Sequence, residues 1–308
     1  MSDTWPQPLE SVTGPFSTER VEGAAEGMGD HGPTTRAVAG LGFVPPDLMT
    51  GFTLFLLARQ PRKHRPDSGA KASAIAGGVW VREQVTYHRP IGHIDPFVVT
   101  GESTGRYVHK GRRYGTTRSQ TRDSAGHLVA TNLTTGLLAY KVEEGLDDQV
   151  EGLPVEDTLG PDPDWAAATN NPCLDALASA TVGRTFGGQP MAVSLAMMQA
   201  RDTANPDNPI HSSQEEAHKA GLTAPIAGGS HVQSFALELL MAEWGPEVLL
   251  HGALVDSRWK APTHAGAVIV PTAAVRAVES DRVEVAIQVD LESGPTAMVG
   301  TVAIPRPA

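Results

Sequence analysis

The clearest pattern in the chain lies near its end. Val283, Val285, Ile287, Val289 and Leu291 alternate with Glu284, Ala286, Gln288 and Asp290, and an apolar residue at every second position predicts a strand with one buried face. Further strand signals lie at Phe97–Thr100, Arg112–Arg122, Leu128–Ala139, Val268–Val270 and Met298–Ile304. A second period appears at Val232, Phe235, Ala236, Leu239 and Leu240. These fall at i, i+3, i+4, i+7 and i+8, one face of a helix that begins just after Gly228-Gly229-Ser230 and ends near Gly245-Pro246. The stretch from Asp47 to Leu57 is apolar nearly all round, which a helix tolerates only when other structure encloses it.

The same order of features occurs twice: a loop with an Asp and a Pro, an apolar helix, then a series of strands. An internal duplication with a period of about 175 residues is implied. Tyr87-His88-Arg89-Pro90 ahead of Phe97-Val98-Val99 also resembles Arg258-Trp259-Lys260-Ala261-Pro262 ahead of Val268-Ile269-Val270, each placing a proline at a strand break where a missing N–H is harmless. Between the halves, Val142–Trp165 holds nine acidic residues, no basic one and three prolines, as expected of a solvated connection. The predicted organisation is a first unit over 1–141, an acidic linker over 142–164 and a second unit over 165–308. The fold class is α+β, with each unit an antiparallel sheet wrapped around a central helix.

Composition narrows the function classes. The chain has 308 residues, 40% of them hydrophobic, enough for a substantial core. Aromatic residues make up only 5%, so that core must be built mainly from aliphatic side chains. The formal net charge of −11 opposes the basic balance of nucleic-acid binders. The single cysteine, Cys173, excludes an internal disulfide and a cysteine metal cluster and fits a reducing compartment. No stretch approaches the ~18 apolar residues of a membrane span, and the N-terminal sequence lacks the pattern of a secretion signal. A soluble, cytoplasmic protein is expected, so the sequon at Asn132-Leu133-Thr134 carries no consequence.

The most informative stretch runs Asp207-Asn208-Pro209-Ile210-His211-Ser212-Ser213-Gln214-Glu215-Glu216-Ala217-His218, followed by Gly221-Leu222-Thr223-Ala224-Pro225-Ile226-Ala227-Gly228-Gly229. It resembles the hydratase signature of the MaoC-like, (R)-specific enoyl-CoA hydratase family. There Gly-Asp-x-Asn-Pro-x-His precedes a short acidic helix, and Pro-Ile-x-His-Gly opens the central helix. As motif the resemblance covers Asp202 to Leu240; as architecture it covers essentially the whole chain and implies a double hotdog. It further implies an acyl-CoA or acyl-carrier-protein thioester as substrate, and no metal or redox cofactor. A homodimer is compatible with it.

The implied chemistry explains the residue types. Adding water to a 2-enoyl thioester, or removing it from a 3-hydroxyacyl thioester, moves protons at both Cα and Cβ, so a His and a carboxylate can share the acid and base roles. His211 is the expected base. Enolate character then develops on the thioester oxygen, where an amide at a helix N-terminus is a suitable donor. Gly229 stands there, and a glycine allows close approach. The sequence departs from the signature in two places. Pro206 occupies the expected Asp position, which leaves Asp207, one residue too close to the histidine, or Asp202, if Thr203–Pro206 are an insertion. Gly228 replaces the signature's second histidine.

The first half carries a degraded copy. Gly29-Asp30-His31-Gly32-Pro33-Thr34-Thr35 lines up with the signature, but Gly32 replaces its Asn and Thr35 its His. This implies a site dead as a hydratase, in a half that shapes the acyl pocket.

Each candidate also has an ordinary structural role. His211 would otherwise be a solvated turn residue, Asp202 and Asp207 turn or helix caps, and Gly229 a turn glycine. Gly228-Gly229-Ser230-His231-Val232 falls short of a nucleophile elbow, and no parallel α/β pattern supports one. His211 and His218 lack a third metal ligand. Arg59, Arg62, Lys63 and Arg65 form a basic cluster, either a solvated loop or a site attracting CoA phosphates or an acidic carrier protein. Two other readings stand beside the lyase: an isomerase or cyclase on the same scaffold, and a non-catalytic acyl-binding subunit.

Overall fold

The computed structural model describes residues 5–60, 79–138, 142, 144–152, 162–202 and 209–306. Among these, thirteen antiparallel strands form one sheet. From one end, its principal strands are Phe97–His109, Arg112–Asp123, Leu128–Leu137, Val79–Tyr87, Leu254–Trp259, Thr296–Pro305, Arg282–Leu291 and Val268–Val278. The order in the first half is mirrored in the second. The mirror lies between Val79–Tyr87 and Leu254–Trp259, which pair antiparallel with Val85 opposite Val255. Equivalent strands are offset by about 170 to 175 residues, the repeat read from the sequence. The α+β double-hotdog class stands, and the two sheets it implies are continuous through that central pair.

Alternation works as the pattern demands. Val283, Val285, Ile287 and Val289 are buried, facing the central helix Gly229–Trp244, and each such side chain contributes roughly 1.5–3 kcal/mol relative to exposure. That helix shows one apolar face in sequence, yet its polar positions are buried as well. Gln233 accepts from Thr50 Oγ1 at 3.1 Å and donates to Ser257 Oγ at 2.9 Å. Glu238 accepts from Thr34 and Thr35. The polar face looks at the other half of the protein rather than at water.

The first-half helix differs from its expected single span. It is broken into Pro46–Met49 and Phe52–Ala58, because Gly51 N–H turns back to Leu48 O, a tighter i to i+3 turn at the junction. Phe16, Phe52, Phe55 and Phe97 pack around this helix with ring centroids 5.0 to 6.2 Å apart. Within the acidic connection, Gln149–Gly152 adds a short strand to Phe97–His109. Asp164 receives His88 Nδ1 at 2.7 Å while its other oxygen caps the helix Trp165–Ala168. No helix among the described residues is long and apolar enough to cross a membrane.

Candidate active site

His211 ends a 3-10 turn, Pro209–His211. The turn is held from below by a small apolar cluster of Ile210, Ala217, Leu222 and Ile226. It runs on into the helix Gln214–Lys219, whose first turn is capped by the Ser213 hydroxyl accepting from Glu216 N–H. His211 Nδ1 lies 2.7 Å from the carbonyl oxygen of Ile226. A carbonyl can only accept, so Nδ1 carries the hydrogen, and in the neutral ring Nε2 is the basic nitrogen. The Cε1–Nε2 edge faces Gly228, where a Cβ would stand 3.9 Å from both atoms.

Asp202 closes the helix Leu195–Asp202. Its Oδ2 accepts from the Ser212 hydroxyl at 3.0 Å, and Gln199 Nε2 donates to Ser212 O at 3.1 Å. These two bonds stitch the helix to the turn that carries His211. Burial holds the Asp202 carboxyl above the usual carboxylate range, and it is opposed by the charges of His211, Arg201 and Arg20 and by the Ser212 hydrogen bond.

Both residues line a cavity of about 410 Å³, within the size range of small-molecule sites. Gly228, Gly229 and Ser230 line it too, at the start of the central helix where amides lack intrahelical acceptors. Gly229 is required sterically, since a Cβ there would sit 2.9 Å from the Trp259 ring. That indole donates to Gly229 O at 2.9 Å. Trp259 and Trp80, 6.0 Å apart between centroids, form part of the wall with Leu48, Leu54 and Val81.

The sequence candidates therefore separate. His211, Asp202 and Gly229 converge on one cavity. Asp207 lies outside the described residues, as do Arg62, Lys63 and Arg65 of the basic cluster. Arg59 is described: its guanidinium lies 3.6 Å from the Phe55 ring centroid and donates to Phe55 O, and it is not part of the cavity wall. Asp30 is exposed and likewise outside it. The Thr35 hydroxyl, where the signature has its histidine, donates to Glu238 at 2.6 Å.

Sequence reasoning missed several members of the wall. Arg201 and Asp47 form a buried ion pair, and Arg201 also donates to Ser230 Oγ at 3.2 Å. Buried His231 bonds Gly27 O through Nε2 at 2.8 Å, and burial above all, then the Arg201 charge, push its pKa down to about 3. Exposed Arg112 and Lys260 stand on the rim of the cavity. The likeness of Arg258–Pro262 to Tyr87–Pro90 was a usable signal for Trp259 and Lys260. Arg201 and Asp47 offered none, being ordinary helix residues until the chain folds. Among the described residues no group of three His, Cys, Asp or Glu side chains is placed to hold a metal.

No protein-family model matches the sequence, and no curated protein matches it. Solved structures do share its fold. A MaoC-like dehydratase aligns with a TM-score of 0.68 at 19% identity, covering 98% of each chain. The peroxisomal multifunctional enzyme type 2 of Drosophila melanogaster aligns at 0.64 and 14% identity over 96% of this chain and 48% of that one. A Mycobacterium tuberculosis protein described as a double hotdog aligns at 0.60 and 14%, covering 97% of this chain and 96% of that one. The chain has the double-hotdog fold of MaoC-like dehydratases.

Proposed function

We propose that the protein is a lyase of acyl thioesters, adding water to a 2-enoyl group or removing it from a 3-hydroxyacyl group. The observation that carries this reading is the meeting of His211 and Asp202 in one cavity at the amide end of the central helix. In hydration the water oxygen bonds to Cβ while His211 Nε2 takes its proton. The alkene electron pair passes toward the thioester oxygen, which accepts from the Gly229 amide. The Asp202 carboxyl then supplies a proton to Cα, and burial, by raising its proton affinity, favours this role. Dehydration runs the same transfers in reverse.

Arg112 and Lys260 are suited to meet the phosphates of CoA or a carrier arm, and a thioester carrier is the partner this site fits. A non-catalytic acyl-binding subunit has no need of a carboxyl in the same cavity as the imidazole, whereas an isomerase or cyclase would use the same acid and base groups. The Asp202 side chain in the cavity wall therefore favours an enzyme over a binding subunit, and the lyase is distinguished from the other enzymes by its substrate test.

The deciding experiment follows enoyl absorbance with crotonyl-CoA, longer 2-enoyl-CoA esters and their 3-hydroxyacyl counterparts. Turnover by the wild-type protein is expected, with His211→Ala reducing kcat by about 10²–10⁴ while the fold is retained. A folded wild-type protein inert toward all of them, or a His211→Ala variant as active as wild type, removes the assignment.

A further inference from the structure

Two carboxylates line the cavity, Asp202 from the second half and Asp47 from the first. Asp47 lies in the short helix Pro46–Met49, and its side chain is only 2% exposed against 9% for Arg201. Arg201 directly precedes Asp202 at the end of its helix. Its guanidinium joins Asp47 to Ser230 in the first turn of the central helix, so one side chain links three elements of the wall. From these contacts we propose that Asp47 and Arg201 are positioning residues: the pair, drawn from the two halves, holds Asp202 toward His211 and sets the pH range in which the site works. The proposal rests on the lyase reading above.

Two further observations support it. The helix Thr18–Glu26 lies against residues 200 and 201 so closely that a Cβ at Gly23 would stand 2.5 Å from Ala200 O, and one at Gly27 2.7 Å from Arg201 Cβ. The backbone bearing Arg201 and Asp202 thus has no lateral freedom on that side. Secondly, a buried ion pair is a poor device for stability alone, because desolvating two charges offsets much of their attraction. Arg201 Nη1 is buried without a hydrogen-bond partner, so the Asp47 carboxylate is the group that balances the guanidinium charge.

The groups acting on the Asp202 carboxyl are Arg201 on its own helix, Arg20 from Thr18–Glu26, and His211 and Ser212 from the following turn. Asp47 reaches it by neutralising Arg201. His231, buried with a pKa of about 3, is neutral near pH 7 and adds no charge.

The signs follow. Arg201 favours ionised Asp202, so Arg201→Gln should raise the pH at which that carboxyl titrates. Asp47→Asn leaves the Arg201 charge uncompensated and should lower it. Each shift is expected to be about one pH unit, read both as displacement of the Asp202 limb of the kcat/KM profile and by ¹³C NMR of labelled aspartate carboxyls, with Asp202→Asn assigning the signal. If Arg201→Gln leaves buried Asp47 charged and does not fold, the double variant Asp47→Asn/Arg201→Gln removes both charges and should titrate above Asp47→Asn alone. Opposite shifts support the proposal. Reduced kcat with the titration unmoved, or shifts of the same sign, overturns it and makes the pair merely structural. The NMR arm needs no turnover: a protein inert on thioesters whose Asp202 titration still moves in opposite directions loses the lyase reading and keeps the pairing.

Discussion

The loops that precede the two central helices show how one repeat diverged. In the second half, Pro209–His211 presents an imidazole to the cavity, with Nδ1 bonded to Ile226 O and the Cε1–Nε2 edge facing Gly228. In the first half, the corresponding stretch passes through the 3-10 turn Gly29–His31 into the helix Pro33–Gly40, where the Thr35 hydroxyl and amide both donate to Glu238 Oε2, at 2.6 and 2.8 Å, while Thr34 N–H donates to Oε1 at 2.6 Å. A carboxylate from the second half's central helix thus meets the residue that stands where the signature has its histidine. Under the proposed function, the second half holds the reactive groups while the first lends support. Its loop packs, its Gly23 and Gly27 seat the helix that ends in Asp202, and its Asp47 pairs with Arg201.

The comparison breaks most visibly at the aspartates. Asp202→Asn is expected to lower kcat by about 10²-fold or more, the scale of a lost proton-transfer group, whereas Asp30→Asn should leave it within twofold, and a larger loss in Asp207→Asn than in Asp202→Asn would move the carboxyl's role to Asp207. Steady-state kinetics on the three variants decides the matter, and a dominant effect of Asp30→Asn would reverse the roles of the halves.

Next in size comes the amide at Gly229. Gly229→Pro deletes the N–H at the first helical position, where proline suits the backbone, while carrying the same Cβ against Trp259 as alanine, and should cost roughly 10²–10³ in kcat. Gly229→Ala keeps the amide but pushes its methyl against Trp259, so a smaller loss of about tenfold should accompany a change in tryptophan fluorescence. If the folded proline variant turns over no more slowly than the alanine variant, another group holds the thioester oxygen.

Glu238→Ala sharpens the comparison from the first-half side. It removes the acceptor of three hydrogen bonds to Thr34 and Thr35, and leaving those buried donors unsatisfied should cost about 2–4 kcal/mol in denaturant unfolding, with kcat changed less than threefold. A large drop in kcat at unchanged stability would mean the first-half loop still takes part in chemistry. The smallest effect is expected at the rim. Reversing the charges of Arg112 and Lys260 should raise KM about five- to tenfold, weaken its dependence on salt and leave kcat nearly alone, the pattern of lost uniform binding. Reversing Arg59, Arg62, Lys63 and Arg65 in parallel tells which basic group serves the carrier.

Much of this protein is written in local pattern. Strict alternation over 283–291 and the i, i+3, i+4 spacing from Val232 are properties of a strand and a helix taken singly, so they need no knowledge of neighbours. The loop around His211 was likewise legible, because a turn, a cap and the opening of a helix lie within one contiguous stretch. What local pattern does not encode is which elements meet. The pairing of Val79–Tyr87 with Leu254–Trp259 joins residues about 170 positions apart, and neither strand alternates cleanly, since both lie in the middle of the sheet with polar Glu83 and Ser257 buried. The proposal of Asp202 as the carboxyl also rests on tertiary structure. Its distance from His211 along the chain departs from the signature, and the Ser212 and Gln199 bonds tie its helix to the turn that carries His211. Asp47 and Arg201 are 154 residues apart, and no local pattern ties one to the other. Their burial as a pair arises because the second half's helix closes against the first, a free-energy term that exists only once both halves are folded.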